Sequence, residues 1–229
     1  MEFINNNGSP ISVGALVSRL LQRGTMMERF KLPMSQEQAH SLLLAAVKGE
    51  VKYRSRKFEM NEDLDSQIRT IAECLTGESP KFGLLLCGGV GNGKSTVVKA
   101  FQQLLNQLNI RTEDNRECWG FRIMDARAVN YLCKSAYREW EELCMMRMLA
   151  IDDLGIESLE IQDYGNIMSP MVDLLTRRYD KQLFTIITTN LTPQEIRAKY
   201  GDRIADRFNE MMVKIIFENG SYRTSDNLG

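Results

Sequence analysis

The stretch Gly88-Gly89-Val90-Gly91-Asn92-Gly93-Lys94-Ser95 decides how the rest of this chain is read. It fits the pattern G-x-x-x-x-G-K-[ST] at every fixed position, with an apolar run over residues 82–87 before it and a helical pattern over 94–108 after it. The chemistry follows from that setting. Glycines let the backbone wrap closely around a phosphate, and successive N–H groups point inward at the start of a helix whose dipole favours anions. Lys94 then reaches the β- and γ-phosphates and the Ser95 hydroxyl ligates Mg²⁺, with Thr96 beside it, so the expected ligands are ATP or ADP with Mg²⁺. The bland alternative is a Gly-rich turn that happens to precede a lysine, and it leaves the flanking strand and helix unexplained.

Working outward, short apolar runs alternate with helical patterns. Strands are expected at 121–124, 145–151, 184–188 and 213–217. Helices are expected at 126–137 and 165–180, and one opens at the capping box Thr192-Pro193-Gln194-Glu195. Strands buried on both faces and joined by helices make an α/β fold with a parallel sheet and right-handed crossovers. Upstream, residues 1–10 read as a flexible tail. Residues 11–76 are helical: Leu16, Leu20 and Leu21 recur at helical spacing, Ser35 caps a run with Ala39, Leu42, Leu43, Ala46 and Val47 on one stripe, and a helix over 64–75 ends at Gly77. Pro80 marks the boundary. The expected organisation is a tail (1–10), a helical partner-binding region (11–79) and an ATPase domain (80–229).

Composition sets limits. With 43% hydrophobic and 26% charged residues among 229, the chain is neither disordered nor fibrous. Lys plus Arg is 29 against 30 for Asp plus Glu, which excludes a basic coat for nucleic acid but not a local patch. One such patch is residues 48–57, KGEVKYRSRK, with five bases and one acid. It reads either as a solvated connector or as a contact for phosphates or an acidic partner, with Tyr53 and Phe58 as stacking surfaces. The five scattered cysteines (Cys74, Cys87, Cys118, Cys133, Cys144) and the single His40 point to a reduced cytoplasm and away from a His-based zinc site. No secretory or membrane segment is expected, because the opening MEFINNNGSP lacks a basic start and residues 3–18 are too short and polar to span a bilayer.

Two further motifs carry chemistry. Met148-Leu149-Ala150-Ile151-Asp152-Asp153 buries a strand and presents two carboxylates at its C-terminal end, where α/β sheets place their ligands. Asp152 would hold Mg²⁺ through water, and Asp153 would orient or deprotonate an attacking water; alone, Asp-Asp-Leu-Gly is also an ordinary turn. Thr185-Ile186-Ile187-Thr188-Thr189-Asn190 is a β-branched strand ending in an amide that can hydrogen-bond a γ-phosphate or the lytic water. It reads equally as a strand-to-loop exit.

These motifs in this order, with Tyr200-Gly201-Asp202-Arg203-Ile204-Ala205-Asp206-Arg207-Phe208 downstream, resemble AAA+ ATPases. "LAIDDLG", "TIITTN", "YGDRIADRF" and "GSYR" narrow the resemblance to the DnaC-like helicase loaders, a branch shared with transposon helper ATPases of the IstB type. It covers residues 81–223 of the 229. The resemblance implies a P-loop NTPase core with a five-stranded parallel sheet in order 5-1-4-3-2, no C-terminal lid domain, and ATP lying between self-associated subunits. It makes Asn190 the sensor 1 residue and Arg207 the arginine finger, with Arg203 a second candidate. Arg223 would be the sensor 2 arginine. The plainer reading of Arg203 and Arg207 is ion pairing with Asp202 and Asp206 along the same helix. The implied function is a slow ATPase, stimulated by partner or DNA, that loads or regulates a hexameric DnaB-type replicative helicase. Its region 11–76 would grip the helicase and its core would touch single-stranded DNA; no membrane partner is implied. An IstB-like transposon helper, and a nucleotide-gated adaptor with little hydrolysis, are the alternatives. Asp153 stands where most AAA+ proteins carry Glu, one methylene longer, which keeps the adaptor reading in play.

Overall fold

The computed structural model describes residues 2–4, 10–22, 29–113, 115–163 and 165–222. A short antiparallel ladder, β1 (Glu2–Ile4) with β2 (Pro10–Ser12), opens the chain where a tail was expected, and it brackets the Asn run. The helix α1 (Val13–Leu21) follows, capped by Ser12, and buries none of its residues. The helix α2 (Gln36–Tyr53) begins at a capping box in which Ser35 and Gln38 satisfy each other's backbone N–H. Its buried residues Ala39, Leu43 and Val47 recur every fourth position. The amphipathic α3 (Glu62–Thr76) starts from Asn61. His40 on α2 faces Asp65 on α3 at 2.8 Å.

The rest alternates strand and helix. In chain order it comprises β3 (Gly83–Gly88), α4 (Lys94–Leu108), β4 (Arg122–Asp125), α5 (Ala126–Ser135), α6 (Tyr137–Met145) and β5 (Met148–Leu154). Then come β6 (Ile161–Asp163), β7 (Asn166–Met168), α7 (Pro170–Asp180), β8 (Phe184–Thr189), α8 (Pro193–Tyr200), α9 (Asp202–Met211) and β9 (Val213–Phe217). Five strands form one sheet in the order β4-β5-β8-β3-β9, all neighbours parallel. Numbered by position among those five, this is the expected order 5-1-4-3-2.

Alternate residues of each strand feed two cores. Leu84 and Leu86 of β3 join Met148, Ala150 and Ile186 against α2, α3 and α4, whereas Leu85 and Cys87 join Leu149, Ile151 and Ile187 against α5 to α9. The helices α2 and α3 therefore share a core with the sheet. The preceding segment is sewn on as well, with Phe30 edge-on to Trp119 at 5.1 Å and Arg29 Nη2 donating to Gln182 Oε1 at 2.7 Å.

Several local bounds differ from the expectations. The helix expected over 126–137 ends at Ser135, where Ala136 leaves helical geometry, an unexpected helix runs from Tyr137 to Met145, and the strand expected over 145–151 runs from Met148 to Leu154. Residues 165–169 belong to the β6–β7 hairpin and its exit; Pro170, with its fixed φ, starts α7. Arg178 stands in the last turn of α7. It is fully buried, donating to Thr185 Oγ1 at 2.8 Å and to the carbonyls of Met146 and Phe184 at 2.8 and 2.7 Å, which ties α7 to the start of β8. Burial lowers its pKa well below the ordinary guanidinium value, yet it remains a cation at neutral pH.

Candidate nucleotide-binding site

At the C-terminal ends of β3, β5 and β8 a cavity of about 610 Å³ opens, lined by residues 90–97, Asp153, Asn190 and Tyr222 on one side. The loop that makes its floor depends on backbone shapes that only glycine takes easily. Gly88 has φ +147°, and a Cβ there would sit 2.2 Å from the Phe217 carbonyl of β9. Gly91 and Gly93 also have positive φ. Asn92, almost fully buried, donates from Nδ2 to that same Phe217 carbonyl at 2.7 Å and so locks the loop to the neighbouring strand. Val90 is the exposed tip.

Lys94 is buried at the first position of α4, and its ammonium is surrounded by oxygens. It donates to the carbonyls of Gly88 and Gly89 at 2.7 Å each, to Asn92 Oδ1 at 3.0 Å and to Asn190 Oδ1 at 2.9 Å. An ammonium has three protons for these four acceptors. The same contacts fit a cation that exchanges neutral oxygens for phosphate, and the exchange would release Asn190. Two motifs far apart in sequence thus meet through one hydrogen bond.

The presumptive metal ligands meet as well. Ser95 Oγ donates to Asp152 Oδ1 at 2.7 Å, and Thr188 Oγ1 donates to the same oxygen at 2.6 Å. Ser95 therefore keeps its proton on Asp152 while its lone pairs remain available to a cation, which is the donor set Mg²⁺ favours. Among the described residues no three His, Cys, Asp or Glu side chains converge into a metal cage. A divalent cation at this site would thus take nucleotide oxygens as ligands beside Ser95 and Asp152.

Asp153 owes its place to a backbone irregularity. In a regular strand Asp152 and Asp153 would point to opposite faces. The pairing of β5 with β8 shifts register between Ile151 and Leu154, and Asp153 takes φ +56°, a left-handed conformation that costs a non-glycine residue of order 1–3 kcal/mol. Its N–H donates to Thr188 Oγ1 at 2.9 Å, and the residue lines the cavity with Lys94 and Asn190. Beneath, the buried Cys87 thiol is pushed up by desolvation and stays protonated.

The motif arginines lie elsewhere. Arg207 is outside this cavity. Its Nη2 contacts Asp180 Oδ1 at 3.2 Å, its guanidinium lies 4.6 Å over the Tyr179 ring, and Nη1 is buried with no acceptor among the described residues. The plain pairing of these arginines with Asp202 and Asp206 does not form. Asp202 and Asp206 both turn to Arg197, and Arg203 is exposed. Arg223 lies outside the described residues.

Several lining residues were not singled out for the site from the sequence. Val47 and Val51 of α2, then Arg54, Arg56, Lys57, Phe58 and Glu59, form the facing wall. Tyr222 donates its N–H to the Gly91 carbonyl at 3.0 Å and packs its ring over Gly93. Its phenol oxygen accepts from Asn61 Nδ2 at 2.9 Å and from Asn219 Nδ2 at 2.8 Å, and Gln67 Nε2 donates to Asn219 Oδ1 at 2.8 Å. This amide chain joins α3 to the phosphate-binding loop. Tyr222 lies within "GSYR", and Arg54, Arg56, Lys57 and Phe58 lie in or beside the basic run that the sequence offered as a phosphate contact, without linking it to this cavity.

No protein-family model and no curated protein matches the sequence. Solved structures do share the fold. It is similar to the crystal structure of the DnaC helicase loader, with a TM-score of 0.53 and 18% identity over 71% of this chain and 94% of that one. It is similar to the crystal structure of DnaI, with a TM-score of 0.56 and 20% identity over 84% of this chain and 95% of that one. AMPPCP-bound DnaA from Aquifex aeolicus matches with a TM-score of 0.50 and 18% identity, over 72% of this chain and 50% of that one. The α/β fold with a five-stranded parallel sheet in the expected order is the fold found, and these solved structures share it. No helix among the described residues is long and apolar enough to cross a membrane.

Proposed function

We propose that this chain is an ATP-binding and ATP-hydrolysing protein of DNA replication that loads or regulates a hexameric replicative helicase. The observation that carries the reading is the convergence of Lys94, Ser95, Asp152, Asp153 and Asn190 at one cavity, on a fold shared with the DnaC helicase loader.

In this reading Lys94 leaves its carbonyl oxygens for the β- and γ-phosphates, and Asn190, freed from Lys94, reports the γ-phosphate or holds the attacking water. Asp153 accepts the proton of that water. Bound Mg²⁺ supplies neutralisation of phosphate charge beside Ser95 and Asp152. Arg207 serves the nucleotide of a neighbouring subunit, with Asp180 and Tyr179 holding the guanidinium until that contact forms. Residues 11–79 supply the helicase contact, single-stranded DNA meets the core, and ATP acts as a population switch through its differential affinity for two states. The short carboxylate of Asp153 makes turnover slow without partner or DNA.

Co-sedimentation with the replicative helicase of the same organism tests the proposal, run with ATP, with ADP and with Lys94→Ala. A complex that needs ATP and is lost in the variant is expected. No complex in any nucleotide state would remove the loader reading and bring the transposon helper forward.

A further inference from the structure

The basic run at 48–57 remained ambiguous in the sequence, and the structure gives three of its cations a place. Arg54, Arg56 and Lys57 line the same cavity as Lys94. The chain reaches that position through a defined turn. Helix α2 closes with Ser55 N–H donating to Lys52 O at 2.9 Å and Arg56 N–H donating to Val51 O at 3.2 Å, while Ser55 takes φ +56°. This is the left-handed helix ending that glycine usually occupies, here adopted by serine. After the turn, residues 56–59 line the cavity together with the phosphate-binding loop.

The charges there are unequally engaged. Arg54 is held by Glu50, with Nε and Nη2 donating to one carboxylate oxygen at 2.9 and 2.6 Å. Lys57 lies 3.5 Å from Glu59 but is mostly exposed, and the Arg56 side chain is exposed with no partner among the described residues. The lining carries four cations, Arg54, Arg56, Lys57 and Lys94, against two carboxylates, Glu59 and Asp153. A cavity with that surplus and a buried lysine at its floor suits a polyanion, and solvated charge has no reason to gather at its mouth.

We infer that Arg56 and Lys57 bind the phosphate chain of the nucleotide from above, as cations contributed in cis by the N-terminal helical region, with Arg54 buttressed by Glu50 behind them. This rests on the nucleotide reading of the cavity and adds ligands to it. It also gives α2 a direct contact with the nucleotide, so that the segment following this helix is drawn towards the floor when phosphates are present.

The test is equilibrium binding of ATP, ADP and adenosine to wild type, to Arg56→Ala/Lys57→Ala and to the charge-preserving Arg56→Lys/Lys57→Arg. Both positions are exposed, so folding is not at stake. The alanine pair should weaken ATP and ADP by about tenfold or more, as expected for loss of charge-assisted contacts, and leave adenosine unchanged. The charge-preserving pair should restore most of the loss. Equal affinities for the wild type and the alanine pair would overturn the inference, as would an equal loss for adenosine. Wild type that binds no nucleotide at all would overturn the nucleotide reading itself, and this inference with it.

Discussion

The two sides of the cavity are built by different means. Its floor is made where three parallel strands end, and each residue is held by the backbone next to it: Gly88 against β9, Lys94 at the start of α4, Asp153 at a bulge in β5. Its wall comes from the end of α2 and residues 56–59, which only tertiary packing brings to the floor. The floor has no slack, since its loop is pinned by Asn92 and its lysine is fully engaged. The wall packs through Val47 on the core that α2 shares with the sheet, and at Arg54, Arg56 and Lys57 it is exposed and cationic. One side is thus fixed by neighbouring backbone, and the other by tertiary packing behind an exposed, charged rim.

That contrast is open to attack at several points. Gly88→Ala should be the most damaging, because the new methyl meets a carbonyl at 2.2 Å in a backbone region closed to alanine. We expect a loss of more than about 2 kcal/mol in thermal unfolding. A small loss would mean the floor is more yielding than described. Asp153→Asn should lower phosphate release by about 10²–10⁴-fold, the usual value of a general base, while ADP affinity stays constant. Unchanged turnover would put the base elsewhere. Tyr222→Phe strands the Asn61 and Asn219 amides and should cost about 1–2 kcal/mol of stability in the nucleotide-free protein. Ser55→Gly should raise stability by about 0.5–1 kcal/mol, since glycine takes the left-handed ending without strain. If it does not, the α2 turn is set by its surroundings.

Legibility in the sequence follows the same division. The span of α4 and the start of α8 came from patterns whose cause is local, a glycine loop and a capping box, whereas the order of the five-stranded sheet came only from the family resemblance. Lys94, Ser95, Asp152 and Asn190, singled out for phosphate and metal chemistry, lie together in the structure. The left-handed turn at Asp153 was not, since nothing in "IDDLG" announces a register shift against β8. The pairing of Arg207 with Asp180 was hidden for a related reason. Asp202 and Asp206 are the acidic neighbours of Arg207 in sequence, but α9 packs on α7 and Arg197 takes both of those carboxylates. The burial of Arg178 was not legible either, because charge pattern carries no information on burial. The wall was least visible of all. Arg56 and Lys57 approach Lys94 only after α2 and α3 have folded onto the sheet.

The central claim is that this cavity holds a nucleoside triphosphate through Lys94. Titration of ATP and of ADP into wild type and into Lys94→Ala tests it most directly. The account predicts saturable binding to wild type and a loss of about a hundredfold in the variant, whose missing ammonium served both phosphate and Asn190. Equal affinities in the two proteins, or no binding to wild type, would contradict it.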